Sequence, residues 1–153
     1  MALTHLLYLH GFRSSPQSTK ARRMAAEVQA RWPQLHWWCP QLPPSPEAAA
    51  RLIRAGTRDW PSQGMAVVGS SLGGFYATWL AARRGCRLVV LNPAVEPARD
   101  LARHIGEQTA WHQPEERFFF EPRFVDELRT LQADTGALPE RCLAVIATGD
   151  EVL

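Results

Sequence analysis

One stretch of ten residues constrains the fold more than any other part of the chain. Residues 65–74 read Met-Ala-Val-Val-Gly-Ser-Ser-Leu-Gly-Gly. A short apolar run with adjacent valines is typical of a buried strand. It ends in residues 69–73, which match the Gly-x-Ser-x-Gly pattern of a nucleophile elbow, a sharp strand-to-helix turn that projects a serine above a sheet. Ser71 is the central serine of this pattern.

The residues after the turn predict a helix that begins beside Ser71. Apolar side chains recur there at helical spacing, which is typical of one face packed on a sheet. They are Leu72, Phe75, Tyr76, Trp79 and Leu80. Because the first N–H groups of a helix are unpaired and carry partial positive charge, the Leu72 N–H is placed to hold a developing oxyanion. The alternative is a chance five-residue match in an ordinary loop, but the flanking predicted strand and helix favour the elbow.

Length and charge bound the class of protein. At 153 residues we expect a single domain over residues 1–153. The net charge is only +2 and the arginines are scattered, whereas a nucleic-acid-binding protein would show a basic stripe, so no nucleic-acid partner is expected. We expect no membrane span and no signal peptide, and therefore a cytoplasmic protein. Cys39, Cys86 and Cys142 are far apart, which predicts buried thiols in a reducing compartment without a disulfide framework or a metal site.

Strand and helix signals alternate along the chain. Strands are predicted at 3–9, 35–39, 65–70, 88–91 and 143–147, with helices at 18–31, 45–57, 72–84, 97–105 and 124–131. This alternation predicts a three-layer α/β/α fold with a mainly parallel sheet. Residues 95–122 are weakly patterned, and we expect them to form a cap or irregular segment over the site.

Ligands of such folds bind beyond the carboxyl ends of the strands. The segments His10-Gly11-Phe12, Asn92-Pro93 and the single residues Ser71 and Asp150 all fall at such ends. Separate loops therefore converge on one rim, which unrelated motif matches would have no reason to do.

These segments, in this order, resemble the α/β-hydrolase superfamily, and most closely the small bacterial YqiA/YcfP-like esterases. The residues that carry the resemblance are 8–12 (Tyr-Leu-His-Gly-Phe), 14–18, 69–77, 91–94 and 148–153 (Thr-Gly-Asp-Glu-Val-Leu). The resemblance implies a serine esterase or thioesterase that acts on a small acyl ester or thioester through an acyl-enzyme, without metal or organic cofactor.

The resemblance also implies roles for particular residues. Ser71 would be the nucleophile and Asp150 the carboxylate that orients the base. The backbone N–H groups of Phe12 and Leu72 would form the oxyanion hole. His10 resembles the structural histidine of the superfamily. It is expected to contact substrate together with Gly11, Arg13 and Ser70.

The histidine of the triad departs from the superfamily pattern. The chain order is serine, acid, histidine, and no histidine follows Asp150 in this sequence. We therefore expect a fold that lacks its last strand and helix, with the base beyond Leu153, low activity, and self-association through an exposed sheet edge. His5, His36 and His104 are expected to be structural or solvated. His112 is the alternative base, because it lies in the segment over the site.

Two other functions remain open at this point. One is a binding protein that keeps the hydrolase pocket without the chemistry, and the other is an acyltransferase or amidase that uses the same serine. Trp111 and residues 118–120 are either an apolar wall for an acyl chain or core under the cap segment. Arg13 is a candidate contact for a carboxylate or phosphate on the substrate.

Overall fold

The computed structural model describes residues 1–134 and 138–148. Seven strands are found, in chain order β1 (His5–Leu9), β2 (His36–Trp38), β3 (Met65–Ser70), β4 (Arg87–Leu91), β5 (Gly106–Thr109), β6 (Arg117–Phe120) and β7 (Cys142–Val145). The helices are α1 (Thr19–Arg31), α2 (Pro46–Thr57), α3 (Leu72–Arg84), α4 (Pro97–Leu101) and α5 (Pro122–Ala133). Short 3-10 turns occupy Ser62–Gly64 and Ala102–His104.

Five strands form one sheet in the order β2-β1-β3-β4-β7, and every neighbouring pair is parallel. The predicted mainly parallel sheet is thus confirmed. Because the strands are parallel, the loops after β1, β3, β4 and β7 leave the sheet at the same edge, where ligands of such folds bind.

Alternating side chains of the strands build a core on each face of the sheet. On one face, Leu7, Val67 and Leu88 pack with residues of α2, α3 and α5. On the other face, Tyr8 and Val68 pack with Ala21 of α1. The protein therefore has the three layers that the sequence predicts.

Local signals in the sequence explain where helices begin. The Ser45 side chain accepts a hydrogen bond from the Ala48 N–H at 3.1 Å, and Pro46 occupies the first turn of α2. Both features stabilise a helix start. Ser18 caps α1 in the same way, through the Ala21 N–H at 3.2 Å.

Residues 95–122 are more regular than expected. They contain α4, a 3-10 turn and an antiparallel hairpin in which β5 pairs with β6. The hairpin is held by contacts far away in sequence, since Phe118 and Phe120 both pack edge-on against the Phe12 ring. Periodicity within the segment gave no sign of these contacts.

The β7 strand lies at the edge of the described sheet, and the exposure of its first residue corrects the prediction for the cysteines. Its four residues are exposed, and Leu143 and Val145 are 57% and 47% accessible. Cys142 is consequently exposed, which corrects the expectation of three buried thiols, while Cys86 is buried and Cys39 is partly buried. Self-association through this edge stays a prediction.

No helix within the described residues is long and apolar enough to cross a membrane.

Glycines let α3 approach the sheet. A Cβ atom at Gly73 would lie 2.0 Å from the Leu9 carbonyl oxygen, and one at Gly69 would lie 2.1 Å from the Gly73 carbonyl oxygen. Both contacts are with backbone, which cannot rotate away as a side chain does. Any larger residue at either position would push the start of α3 off the strands.

We predict that Gly73→Ala lowers the free energy of unfolding by about 3 kcal/mol or more, because overpacking forces backbone shifts. Gly85→Ala is the matched control. A Cβ there meets nothing within 4 Å, and only the left-handed φ of 65° is penalised, at about 1 kcal/mol. Urea denaturation of both variants measures the difference. Equal losses would contradict the close approach inferred at Gly73.

Candidate active site

Ser71 lies at the junction between β3 and α3 in a backbone conformation that is rare for a residue with a side chain. Its φ is 55° and its ψ is −121°. Such a conformation is unfavourable by about 1–3 kcal/mol and persists only where surrounding contacts hold it. The sequence pattern of a nucleophile elbow therefore coincides with the backbone geometry that such an elbow requires.

Hydrogen bonds from three directions hold the backbone of Ser71. Its N–H donates to the Leu91 carbonyl at 3.1 Å, and its carbonyl accepts from Gly74 N–H and Ala94 N–H, each at 2.9 Å. Leu91 ends β4 and Ala94 follows it, so the neighbouring strand fixes the strained residue. The half-buried Ser71 side chain is left facing the cleft at the carboxyl edge of the sheet.

Two backbone amides near Ser71 have no acceptor within the described residues. The Leu72 N–H is in the first turn of α3, where no intrahelical acceptor exists, and neither it nor the Phe12 N–H donates a hydrogen bond elsewhere. Gly11, the residue before Phe12, is so close that a Cβ on it would lie 3.6 Å from the Ser71 hydroxyl oxygen. The loop after β1 therefore passes close to the serine, and the role of the Phe12 N–H as a second oxyanion donor stays a prediction.

His10 is buried and holds this loop in place. Its Nδ1 donates to the Gly11 carbonyl at 2.9 Å, and its Nε2 accepts from the Leu42 N–H at 2.9 Å. Because a carbonyl only accepts and an amide N–H only donates, the ring is neutral with its hydrogen on Nδ1. Burial lowers the pKa of His10 below its usual value. Both ring nitrogens bond within the protein, so the ring supports the loop, and its contact with substrate stays a prediction.

Arg13 clamps the same loop to the β5–β6 hairpin. Its Nε donates to the Thr109 carbonyl at 2.6 Å and its Nη2 to the Thr109 hydroxyl at 3.0 Å. The guanidinium also lies 3.9 Å from the centre of the Trp111 ring, and the Trp111 N–H donates to the Arg13 carbonyl at 2.9 Å. With these partners, Arg13 fastens two segments together. Its contact with a carboxylate or phosphate of the substrate stays a prediction.

A cleft of about 980 Å³ opens above Ser71. The strand ends and the loop after β1 form its floor, and α4, the 3-10 turn and Trp111 form the opposite wall. A smaller cavity of about 360 Å³ lies beside the same loop and is lined by Leu72, Tyr76 and Phe118. Residues 95–122 therefore border the site, in line with the expectation of a cap, which stays a prediction.

The structure also brings two residues into the cleft that the sequence reasoning missed as site residues. Lys20, in the first turn of α1, donates to the Ser70 hydroxyl at 3.1 Å. His104 contacts the Phe12 ring, with centroids 5.5 Å apart, and lines the cleft as well. The sequence did contain a signal for Lys20, which is its single lysine among 17 basic residues.

None of the five histidines hydrogen-bonds to Ser71 within the described residues. His112, the alternative base, instead bonds through Nε2 to the hydroxyl of the buried Ser15. Burial and the nearby Arg103 and Arg13 lower the pKa of His104. Also within these residues, no group of three or more His, Cys, Asp and Glu side chains is arranged to hold a metal ion.

Asp150 lies outside the described residues, so its predicted role stays a prediction. The strand that leads toward it is tied to the site by Asn92. The Asn92 N–H donates to the Val145 carbonyl at 3.0 Å, and its side-chain oxygen accepts from the Ala147 N–H at 2.8 Å. Asn92 adopts a φ of 42° at this turn. The end of β7 is thus aligned with the end of β4, beside Ser71.

The aromatic residues considered for the acyl chain have different environments. Phe120 is buried in the core, Phe119 is 58% exposed, and Phe118 lines the smaller cavity. Trp111 is 59% exposed and lines the cleft with Ser71. Phe120 therefore belongs to the core, and an apolar wall for an acyl chain stays a prediction for Trp111 and Phe118.

We predict that the His10 ring stays neutral below pH 6.5, because burial depresses its pKa in the folded protein. The unfolded chain then binds more protons than the native one, and stability contributed by neutral His10 is lost as pH falls below about 6.5. NMR titration of the two ring nitrogens measures the protonation midpoint of His10. The same spectra should show the hydrogen of the neutral ring on Nδ1. A protonation midpoint at or above 6.5 would contradict the buried neutral ring.

We predict that Arg13→Lys loosens the β5–β6 hairpin, because an ammonium cannot reproduce the paired bonds and ring stacking of the guanidinium. Hydrogen exchange at the Trp111 amide should rise about tenfold or more, as expected for losing a charge-assisted hydrogen bond. Arg117→Lys is the control on the same hairpin, because its exposed ion pair with Glu107 at 2.8 Å contributes little. Similar exchange in both variants would show that Arg13 is not the clamp.

Solved structures with a similar fold are α/β hydrolases and esterases. Monoacylglycerol lipase from Paleococcus ferrophilus has a TM-score of 0.65 and 13% identity, with 95% of this chain and 75% of that chain covered. Est1E from Butyrivibrio proteoclasticus has a TM-score of 0.64 and 14% identity, with 97% and 79% covered. Mouse alpha/beta hydrolase domain-containing protein 10 has a TM-score of 0.61 and 14% identity, with 93% and 79% covered. At these identities the likeness is one of fold.

A family model provides the closer relationship. It matches residues 5–153, which is nearly the whole chain, and it spans the loop after β1, the elbow and the segment after β7. The resemblance to the YqiA-like branch of the α/β hydrolases is thereby confirmed. The chain belongs to the family described as Uncharacterised protein family (UPF0227), and it shares its fold with solved α/β hydrolases.

Proposed function

We propose that this protein is a serine hydrolase that cleaves carboxylic esters or acyl thioesters through an acyl-enzyme on Ser71. The observation that carries the proposal is the strained backbone of Ser71, with φ of 55°, at the start of α3 and beside a large cleft. Strain of this kind is retained where surrounding contacts enforce it, often at functional sites. Here Leu91 and Ala94 supply those contacts.

The amides of Leu72 and Phe12 complete the electrostatic part of the site. When the Ser71 oxygen attacks an acyl carbon, the carbonyl oxygen gains negative charge, and donors already in place stabilise it without reorganising. Both amides lack an acceptor within the described residues, so they are available for that oxygen. Gly11 allows the loop to approach Ser71, because a Cβ atom at this position would lie only 3.2 Å from the Ser71 Cβ.

The remaining steps need an acid and a base. Asp150 is proposed as the acid, and the bonds of Asn92 to the end of β7 support its placement at the same rim. The base would be a histidine, which takes the Ser71 proton and passes it to the departing alcohol or thiol. Water then attacks the acyl-enzyme, releases the carboxylic acid and restores the Ser71 hydroxyl. The superfamily order places this histidine after the acid.

The test is covalent labelling by a fluorophosphonate, which reacts only with an activated serine. We expect protein that carries the base histidine to be labelled, and Ser71→Ala in the same protein to lose the label completely because its nucleophilic oxygen is gone. Ser62→Ala is the control, because Ser62 lies in a turn before β3, away from the cleft. Label retained in Ser71→Ala would refute the assignment of the nucleophile.

Labelling, together with acyl-transfer and turnover assays, separates the alternative functions. Absence of label on protein that carries the base histidine would favour a binding protein that keeps the pocket without the chemistry. Labelling at Ser71, followed by transfer of the acyl group to an amine or alcohol in preference to water, would favour an acyltransferase. Turnover of amides at rates like those of esters would favour an amidase.

A further inference from the structure

The cleft beside Ser71 carries an excess of positive charge. Among its described lining residues are the four cations Arg13, Lys20, Arg99 and Arg103, and the single carboxylate Asp100. Such an arrangement raises the local concentration of anions and disfavours cationic ligands. Neutral esters would gain nothing from it.

Three of these four cations already interact with other side chains or backbone groups of the protein. Arg99 pairs with Glu96 and with Asp100, and Arg13 is held by Thr109 and Trp111. Arg103 donates to the His104 ring at 3.4 Å, on the outer wall of the cleft. The remaining cation, Lys20, is the one that lies next to the nucleophile.

Lys20 has only neutral partners within the described residues. Its ammonium donates to the Ser70 hydroxyl at 3.1 Å, and no carboxylate lies within ion-pair distance. Tyr8 lines the same part of the cleft, and burial raises the pKa of Tyr8, so the phenol supplies no negative charge at neutral pH. The first turn of α1 contains no acidic residue. Among the described residues, the charge of Lys20 is therefore not paired with a carboxylate.

The position of Lys20 limits where a complementary anion can lie. Ser70 and Ser71 are consecutive, and because adjacent Cα atoms are about 3.8 Å apart, the ammonium lies within roughly 12 Å of the Ser71 hydroxyl. An anion bound at the ammonium would lie within roughly the same distance of the attacked carbonyl. This favours a small acidic substituent near the ester.

We propose that Lys20 and Ser70 form a subsite for a small anionic group of the substrate, a carboxylate or a phosphate, close to the carbonyl that Ser71 attacks. The subsite rests on the proposed function, since it assumes that an ester or thioester occupies the cleft. An ammonium provides a compact charge with several donors, and Ser70 provides a hydroxyl donor beside it. Together they discriminate acidic from neutral esters.

Binding is tested in Ser71→Ala protein, in which turnover cannot interfere. Three probes are titrated by NMR: monomethyl succinate, monomethyl phosphate and the neutral methyl butyrate. We expect at least one anionic probe to bind about tenfold more tightly than methyl butyrate, because one charge-assisted hydrogen bond contributes about that much. Binding of that probe should also shift the NMR signal of the Ser70 amide. The preferred anion identifies the group as a carboxylate or a phosphate. Equal binding of all three would overturn the proposal.

Matched variants isolate the role of Lys20. Adding Lys20→Met should remove the tenfold preference, while Lys20→Arg should retain most of it by keeping the charge. Arg23→Met is the control, because it removes one charge from the same helix outside the cleft. A preference that survives Lys20→Met, or that is lost equally in Arg23→Met, would refute the subsite. Because these measurements need no labelling of Ser71, they can fail or succeed separately from the proposed reaction.

Discussion

The close approach of α3 to the sheet is the constraint on which the rest of the site depends. Gly69 and Gly73 allow backbone to meet backbone at this point, and the Ser71 turn is sharp because the helix starts so near the strand. Hydrogen bonds from the end of β4 then hold the turn in its unfavourable conformation. The strain is thus maintained by the stability of a whole parallel sheet rather than by local preference.

Loops around this turn are organised by residues whose side chains do not reach the reacting atoms. His10 connects the loop after β1 to Leu42 through a neutral buried ring. Arg13 connects the same loop to the β5–β6 hairpin. As a result, the Phe12 amide is positioned from two sides, as its proposed role as an oxyanion donor requires.

The sequence predicted the parts of the molecule whose signals are local. Adjacent valines and spaced glycines marked β3 and the Ser71 turn, and Ser45 with Pro46 marked the start of α2. The β5–β6 hairpin escaped prediction because its stability comes from Phe118 and Phe120 packing on Phe12, about a hundred residues earlier in the chain. The bonds of Lys20 and Arg13 were not foreseen for the same reason, since their partners Ser70 and Thr109 are distant in sequence.

The attachment of the hairpin has a consequence for how its length can vary during evolution. The base of its connecting loop, residues 109–111, is fixed, because Thr109 and Trp111 are both bonded to Arg13. Its tip is a separate exposed turn, closed by the Glu116 N–H donating to the Gln113 carbonyl at 2.8 Å. Insertions near residues 113–115 would leave the base undisturbed, whereas a single inserted residue before Thr109 would shift the register and detach Arg13. Added residues at that outer turn would therefore enlarge the rim of the cleft without breaking the bonds of Arg13.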